Sequence, residues 1–440
     1  MREVNRSLVL ALVKEGGPVS RASIARSTTL AKPTVSAIVD ELIADGLVRE
    51  LGPGSTAVSG GRPPILLEFN ARSQLVVGAH IGARRTTVAI GDAAGEEIAR
   101  REFPTPTALA AASGPGGTAG PGGTAGPGGS VGPGGSVGPG GSAGPGSSQA
   151  LTGVAPADAL RMVAAEARAA IQSTALPTAR LAAVGAVLPG LTDFHTGVCL
   201  LAPNLGWRDV PVRDILAAEL GAPVYVHNAG QAAAVAENLE GAGGRVGDLA
   251  LLYAGTGLSA GVLSDGRVFH GVGGTAGEIG HNAVPGNEEP CNCGKVGCLE
   301  TMASGPAIVR AVRRALAAGE PSSLAELGTF DARDVTAAAR AGDTVATAAI
   351  AEIGAHLGLA ASWLINAYNP AVVIVGGGLA PIGDLLLDPL RAAVARHALA
   401  PALRGVEIRA SMLGPDAEVR GAVLLALQHS ETYYRVVFRA

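Results

Sequence analysis

The chain has 440 residues, 48% hydrophobic and 16% charged, with a net charge of −4. That length holds two or three domains and that apolar content can build their cores, while the slightly acidic balance excludes nucleic-acid binding through bulk charge. No apolar run of about 18 residues reads as a membrane span, the short apolar stretch near the N-terminus lacks a cleavage pattern, and four cysteines fit a reducing cytoplasm.

The first 70 residues carry eight Lys+Arg and seven Asp+Glu, so DNA contact there must come from where charges are placed. Residues 5–14 (NRSLVLALVK) have a helical apolar stripe that Gly16, Gly17 and Pro18 end. Ser20 is placed to cap a second helix, SRASIARST, with Ile24 and Ala25 inward. A turn, TLAK, leads to a third helix, PTVSAIVDELIADG, with Pro33 suited to its first turn, Gly46 to its stop, and Val35, Ile38, Val39 and Leu42 on one face. Thr29 and Ala31 stand where a turn glycine and a serine cap would be expected, each costing about 1 kcal/mol of local stability.

Two short helices joined by a tight turn describe a helix-turn-helix, and Leu47–Leu51 with Ile65–Phe69 read as the strands of a wing. The alternative is a three-helix packing module with a solvated polar face. In a DNA reader, Lys32, Thr34 and Ser36 would approach phosphates and base edges in the major groove. Arg62, between glycines and prolines in GPGSTAVSGGRPP, either reaches a minor groove or belongs to a rigid linker.

From residue 71 to about 427 the chain alternates strands and helices. Gln74–Ile90 gives two strands around a Gly-containing turn. A strand to about Phe103 is separated from a helix at Pro156–Ser173 by residues 114–149, six hexamers close to GPGGSA. A Gly at every third position raises a collagen reading, but the run is short and interrupts a globular domain, so a flexible surface insertion is expected. Leu181–Leu188 is a strand ending at Pro189-Gly190, and Asn204 follows in a Pro-Asn-Leu-Gly-Trp stretch. Val224–Leu239 is a strand feeding a helix, Ala250–Leu263 two strands around Gly255-Thr256-Gly257, and Val372–Leu379 a strand ending in glycines. The last residues, 428–440, read as a tail.

One stretch organises the rest: residues 277–300, GEIGHNAVPGNEEPCNCGKVGCLE, hold three of the four cysteines. His281, Cys291, Cys293 and Cys298 are the ligand types of a closed tetrahedral structural zinc site. Three unrelated thiols in a Gly-rich loop are the alternative. Glu278 and Glu300 flank the cluster, so an ion there would also fix where those carboxylates point.

The run GVGGTAGEIGH followed by CNCGKVGCLE resembles the signature of the ROK family of sugar kinases and sugar-responsive repressors. The resemblance implies a winged helix-turn-helix followed by an actin-like, two-lobed sugar-kinase fold. It carries structural zinc onto His281, Cys291, Cys293 and Cys298, and sugar-hydroxyl contacts onto Glu278, His281 and Glu300, with Asn228 a further sugar partner. Asn204 matches a stretch beside the family's sugar cleft, though an Asx-turn explains it equally.

The chain departs from the kinase pattern in two places. Where kinases have D-x-G-G-T-K, this chain has His80-Ile81-Gly82-Ala83-Arg84-Arg85, which lacks the carboxylate and crowds a loop that closes on phosphate. Aligned on Glu237, the pattern E-N-D-A-N-A-A-A-L-A-E places Ala229 at the catalytic Asp that would deprotonate the sugar hydroxyl. The expectation is a non-enzymatic, sugar-responsive regulator, a repressor, acting on operator DNA as a homodimer or homotetramer in the cytoplasm and responding to a sugar or sugar phosphate. A sugar kinase carrying a DNA-binding head is the alternative.

Overall fold

A computed structural model describes residues 2–54, 63–106, 154–176 and 180–430. Arg62, the Gly/Pro-rich insertion and nearly all of the expected tail lie outside the described residues.

The first apolar stripe forms helix α1 (Arg2–Glu15), which begins ahead of the expected residue 5, where Arg2 and Arg6 pair with Glu41 and Asp45. Ser20, in the short strand β1 (Val19–Ser20), caps α2 (Arg21–Thr28). Its hydroxyl accepts from the Ser23 amide, and the Ser23 hydroxyl accepts from the Ser20 amide. Thr29 turns the chain at φ 58°, and α3 (Lys32–Ala44) starts from Ala31 without a side-chain cap. Val35, Ile38, Val39 and Leu42 of α3 share one core with Val9, Val13 and Ile24. Strands β2 (Val48–Pro53) and β3 (Ile65–Phe69) pair antiparallel, and β1 joins the other edge of β3. A bulge between Glu50 and Gly52 lets β2 run past the expected Leu51. This module is a winged helix-turn-helix.

Two five-stranded sheets follow, and they repeat one topology. In the first lobe, β4 (Gln74–Ile81), β5 (Arg85–Asp92) and β6 (Glu97–Pro104) form an antiparallel meander. Helix α4 (Pro156–Ser173) leads into β7 (Arg180–Leu188), parallel to β4. A small sheet of β8 (Leu191–Asp193), β9 (Val198–Ala202) and β10 (Trp207–Val210) and helix α5 (Val212–Leu220) precede β11 (Val224–Asn228), parallel to β7. Cys199 of β9 is fully buried among apolar neighbours, which pushes its thiol up to about 12.

Helix α6 (Ala229–Glu240) leads to the second lobe, where β12 (Leu249–Ala254), β13 (Leu258–Ser264) and β14 (Arg267–Val268) form the meander. Helices α7 (Gly305–Ala317), α8 (Ala332–Arg340) and α9 (Thr344–Tyr368) precede β15 (Val372–Gly376), parallel to β12. Helix α10 (Asp384–His397) and β16 (Glu407–Ala410), parallel to β15, complete the sheet. Helix α9 is the one described helix long and apolar enough to cross a membrane. Its Ile350, Ile353, Leu357 and Leu364 lie in the second-lobe core, which accounts for that composition.

Helix α11 (Ala417–His429) is wedged between the first sheet and α6. A Cβ on Gly185 of β7 would lie 2.1 Å from the Ala422 carbonyl oxygen, and one on Gly421 would lie 2.0 Å from that of Ala232, so both glycines permit the close approach. The helix carries Gln428 and His429, beyond the expected boundary at 427. The whole is a two-lobed actin-like domain behind a winged helix-turn-helix.

Candidate metal centre and interlobe cleft

The stretch after β14 lies flat on β13. The Ala260 amide donates to the Gly277 carbonyl at 2.7 Å. A Cβ on Gly277, at φ +101°, would sit 1.9 Å from the Ala260 oxygen, and one on Gly280 would sit 2.1 Å from that of Leu258. These two glycines let the cysteine loop reach its place, a requirement that motif spacing does not reveal.

The loop brings His281 Nδ1 or Nε2 and the sulfurs of Cys291, Cys293 and Cys298 within 4.8 Å of one another. Cys291 Sγ is 3.7 Å from His281 Nδ1, and Cys293 Sγ is 3.6 Å from Cys298 Sγ. A zinc tetrahedron with bonds of about 2.3 Å has edges of about 3.8 Å, so the donor set fits such an ion. With Nδ1 turned to the sulfurs, His281 directs Nε2 towards Glu278, 3.8 Å from its Oε2. An imidazole ligated through Nδ1 carries its proton on Nε2, on the cleft side.

Glu300 joins the loop to the Gly255-Thr256-Gly257 turn. Its Oε2 accepts from the Leu258 amide at 2.9 Å, and a Cβ on Gly257 would come within 2.6 Å of the same atom. Glu278 is drawn towards the first lobe: Asn228 Nδ2 donates to its Oε1 at 3.3 Å and to the Gly190 carbonyl at 2.8 Å. Asn228 also caps α6, its Oδ1 accepting from the Gly230 amide at 2.7 Å. Burial, and then repulsion from Glu300, pushes the Glu278 carboxyl up to about 7.

Asn204, Asn228, Glu278, His281 and Glu300 all line one cleft. The turn at Asn204 is closed by backbone bonds, Leu205 N to Ala202 O and Gly206 N to Pro203 O, so its side chain is not needed as an Asx cap. Ala229 lines the same cleft. Asn292, between two of the cysteines, lines it as well and was passed over in the sequence. Its signal was position: a residue between adjacent ligands is held wherever they are held. Glu237, the last residue of the kinase-like pattern, is structural. Its carboxylate accepts from the Ala242 and Leu413 amides and the Ser411 hydroxyl.

The hairpin between β4 and β5 closes tightly, with the Gly82 amide bonded to the Arg85 carbonyl and Arg85 paired with Glu102. His80 stands at its base, and burial pushes its imidazole below the usual range. In the winged module, Lys32 and Thr34 are exposed at the start of α3, Ser36 half-buried behind them.

The model of the ROK family matches residues 156–429. The chain belongs to the ROK family. It is 27% identical to a xylose repressor of Caldicellulosiruptor bescii over 97% of this chain and 96% of that one. It is 39% identical to a glucokinase of Halalkalibacterium halodurans, over 57% of this chain and 78% of that one. Among solved structures, a ROK family transcriptional regulator described as a homolog of the Escherichia coli MLC protein superposes with a TM-score of 0.76 at 26% identity, covering 98% and 97% of the two chains. The repressor-type ROK relatives thus span the winged module and both lobes, whereas the kinase relative spans only part of the chain.

Proposed function

We propose that this chain is a sugar-responsive transcriptional repressor without kinase activity. The observation that carries the reading is the pairing, on one chain, of a winged helix-turn-helix with an interlobe cleft lined by Ala229 where the kinase pattern has its Asp. Full-length likeness to a xylose repressor supports it. Structural zinc is held by His281, Cys291, Cys293 and Cys298, whose separations suit a tetrahedron. Bound, the ion cross-links the loop and fixes the neighbouring carboxylates.

The ligand is a sugar or sugar phosphate whose hydroxyls meet Asn204, Asn228, Glu278, His281 and Glu300. Those groups come from both lobes, so a ligand that bridges them favours one lobe arrangement over another and can shift DNA affinity by that difference. Lys32, Thr34 and Ser36 of α3 approach the major groove, with Arg62 of the wing at the minor groove. A homodimer or homotetramer supplies paired readers for two half-sites. Residues 1–70 form the DNA-binding unit and 71 to about 429 the sugar-binding unit, since the last helix runs to His429, with the tail beyond it.

The test measures retardation of the chain's own upstream DNA with and without a panel of sugars and sugar phosphates, beside ATP turnover on the same panel. Specific retardation relieved by one sugar, without turnover, is the expected result. Turnover without specific DNA binding overturns the reading and favours a sugar kinase, the alternative that the 39% identity to a glucokinase keeps in view.

A further inference from the structure

Behind the cleft, four of the eight histidines gather around one phenylalanine. The Phe194 ring stacks on His270 at 4.2 Å and lies 5.1 Å from His227, 5.5 Å from His195 and 5.8 Å from His429. His227 is 5.6 Å from both His270 and His429, and His429 stacks on Tyr225 at 4.3 Å. These rings come from separate parts of the fold. Phe194 and His195 follow β8, Tyr225 and His227 lie on β11, His429 ends α11, and His270 follows β14 in the second lobe.

The stack of Phe194 on His270 therefore crosses the seam between the lobes, and the backbone beside it is equally close. A Cβ on Gly274, at φ +76°, would lie 2.5 Å from the Thr192 oxygen. Gln231 of α6 clamps the same loop: its Nε2 donates to the carbonyls of Gly274 and Ala276, each at 3.4 Å, and its Oε1 is 3.2 Å from His270 Nδ1. The clamped loop runs into Glu278, and His227 immediately precedes Asn228. The cluster thus abuts both partners of the Asn228–Glu278 contact that closes the back of the cleft.

His227 is 1% exposed, and among the described residues neither of its ring nitrogens has a hydrogen-bond partner. A neutral imidazole tolerates that site as an aromatic plate; an imidazolium would be a buried charge without compensation. Among the described residues, the charged groups that act on it are basic: His429 from α11, His270 from the second lobe, and Arg213 from α5. Arg213 is fixed by donating to the Phe194 and Val224 carbonyls. Asp193, the acidic group on the adjoining turn, faces His195 and is occupied by the Thr196 hydroxyl and the His195 amide.

We propose that this imidazole–aromatic cluster is an acid-sensitive latch between the lobes: uncharged rings hold the seam shut, and protonation of His227 or His270 releases loop 271–276 and frees Glu278 from Asn228. Such a latch would make the repressor's ligand response depend on the acidity of its surroundings.

The sign follows from the closed seam's resistance to the proton. Burial, then His429 and His195, push His270 down to about 4, and burial with the same kind of neighbours pushes His227 well below its usual range. In an opened seam both regain an ordinary value near about 6.5. Closure is therefore fully favoured above about pH 6.5 and loses ground as pH falls towards 4. At pH 5.5 the His270 difference alone shifts the closed-to-open ratio by about tenfold.

Hydrogen exchange on the full zinc-loaded chain tests this without sugar or DNA, so the outcome stands apart from the repressor reading. Exchange would be followed at pH 7.5 and 5.5, normalised for the intrinsic rate, with metal content measured at each pH. Amides in 192–197 and 270–278 should lose at least about tenfold protection at pH 5.5, reversibly, while β12 and β15 do not change. The double variant His227→Leu/His270→Gln should lose that response while keeping the pH 7.5 pattern. Should it misfold, His270→Gln alone, which retains an amide for Gln231, should at least halve the response. Equal protection at both pH values, or a loss that tracks metal release and is unmoved by the substitutions, overturns the latch.

Discussion

The two sides of the cleft have been treated differently. On the cysteine-loop side, Glu278, Glu300 and His281 are held by hydrogen bonds, Glu278 to Asn228 of the first lobe, by close glycine contacts and by the four gathered metal-ligand residues. Where the kinase pattern has its base and its phosphate hairpin, the chain carries Ala229, which lines the cleft, and His80 and Ala83 in the β4–β5 hairpin, which are not among its lining residues. Recognition of a hydroxylated ligand needs the first side, and phosphoryl transfer needs both. Under the proposed reading, one fold has kept a binding surface and given up a reaction, and its two lobes remain a means of converting occupancy into movement.

Removing the metal should break this contrast most severely. Structural zinc sites supply roughly 10 kcal/mol or more to the segments they organise. Dialysis against a strong chelator should therefore abolish sugar binding and lower the melting temperature, with a metal content near one per chain beforehand. Retained sugar binding in metal-free protein would show that the glycine contacts on β13 suffice to place the carboxylates. Substituting one carboxylate is the next largest step. Glu278→Ala or Glu300→Ala each removes a charged hydrogen-bonding group worth about 1.5–3 kcal/mol, so calorimetric affinity for the inducing sugar should fall about tenfold to a hundredfold with metal content intact. Glu300→Ala should also cost stability, because it strands the Leu258 amide. A smaller effect is expected at the winged module. Lys32→Ala removes one phosphate contact, so operator affinity should fall and the salt slope should drop by about one, with sugar affinity unchanged.

How far the sequence was legible depends on how local the determining chemistry is. His281, Cys291, Cys293 and Cys298 lie close along the chain and are few in chemical type, so their gathering could be read directly. The winged module was equally open, down to the missing turn glycine at Thr29 and the missing cap at Ala31. Strand ends were less so, since the bulge at Gly52 is decided by pairing with β3 rather than by β2 itself. The glycines that let the cysteine loop lie on β13 read only as turn residues until the Ala260 and Leu258 carbonyls are seen beneath them. Least legible was the ring cluster, because Phe194, His227, His270 and His429 belong to four distant segments that only the closed seam assembles.

The sharpest probe of the two-sided contrast is the substitution expected to do least. Ala229→Asp restores the carboxylate of the kinase pattern at the first residue of α6, next to Asn228 and facing the cleft. A general base contributes about 10²–10⁴ in rate, but only where a phosphoryl donor is already held in line. The β4–β5 hairpin here carries His80, Ala83 and Arg84 in place of the residues that admit and orient phosphate. ATP turnover by Ala229→Asp with the inducing sugar should therefore remain at background. Sugar affinity should fall within about tenfold, since a third carboxylate joins Glu278, whose charge burial already disfavours. If the single substitution produced turnover, the phosphate side would be intact and Ala229 its only defect. A combined variant with His80→Asp, Ala83→Gly and Arg84→Thr then separates the possibilities: activity that needs all four changes means the phosphate side was lost as a unit.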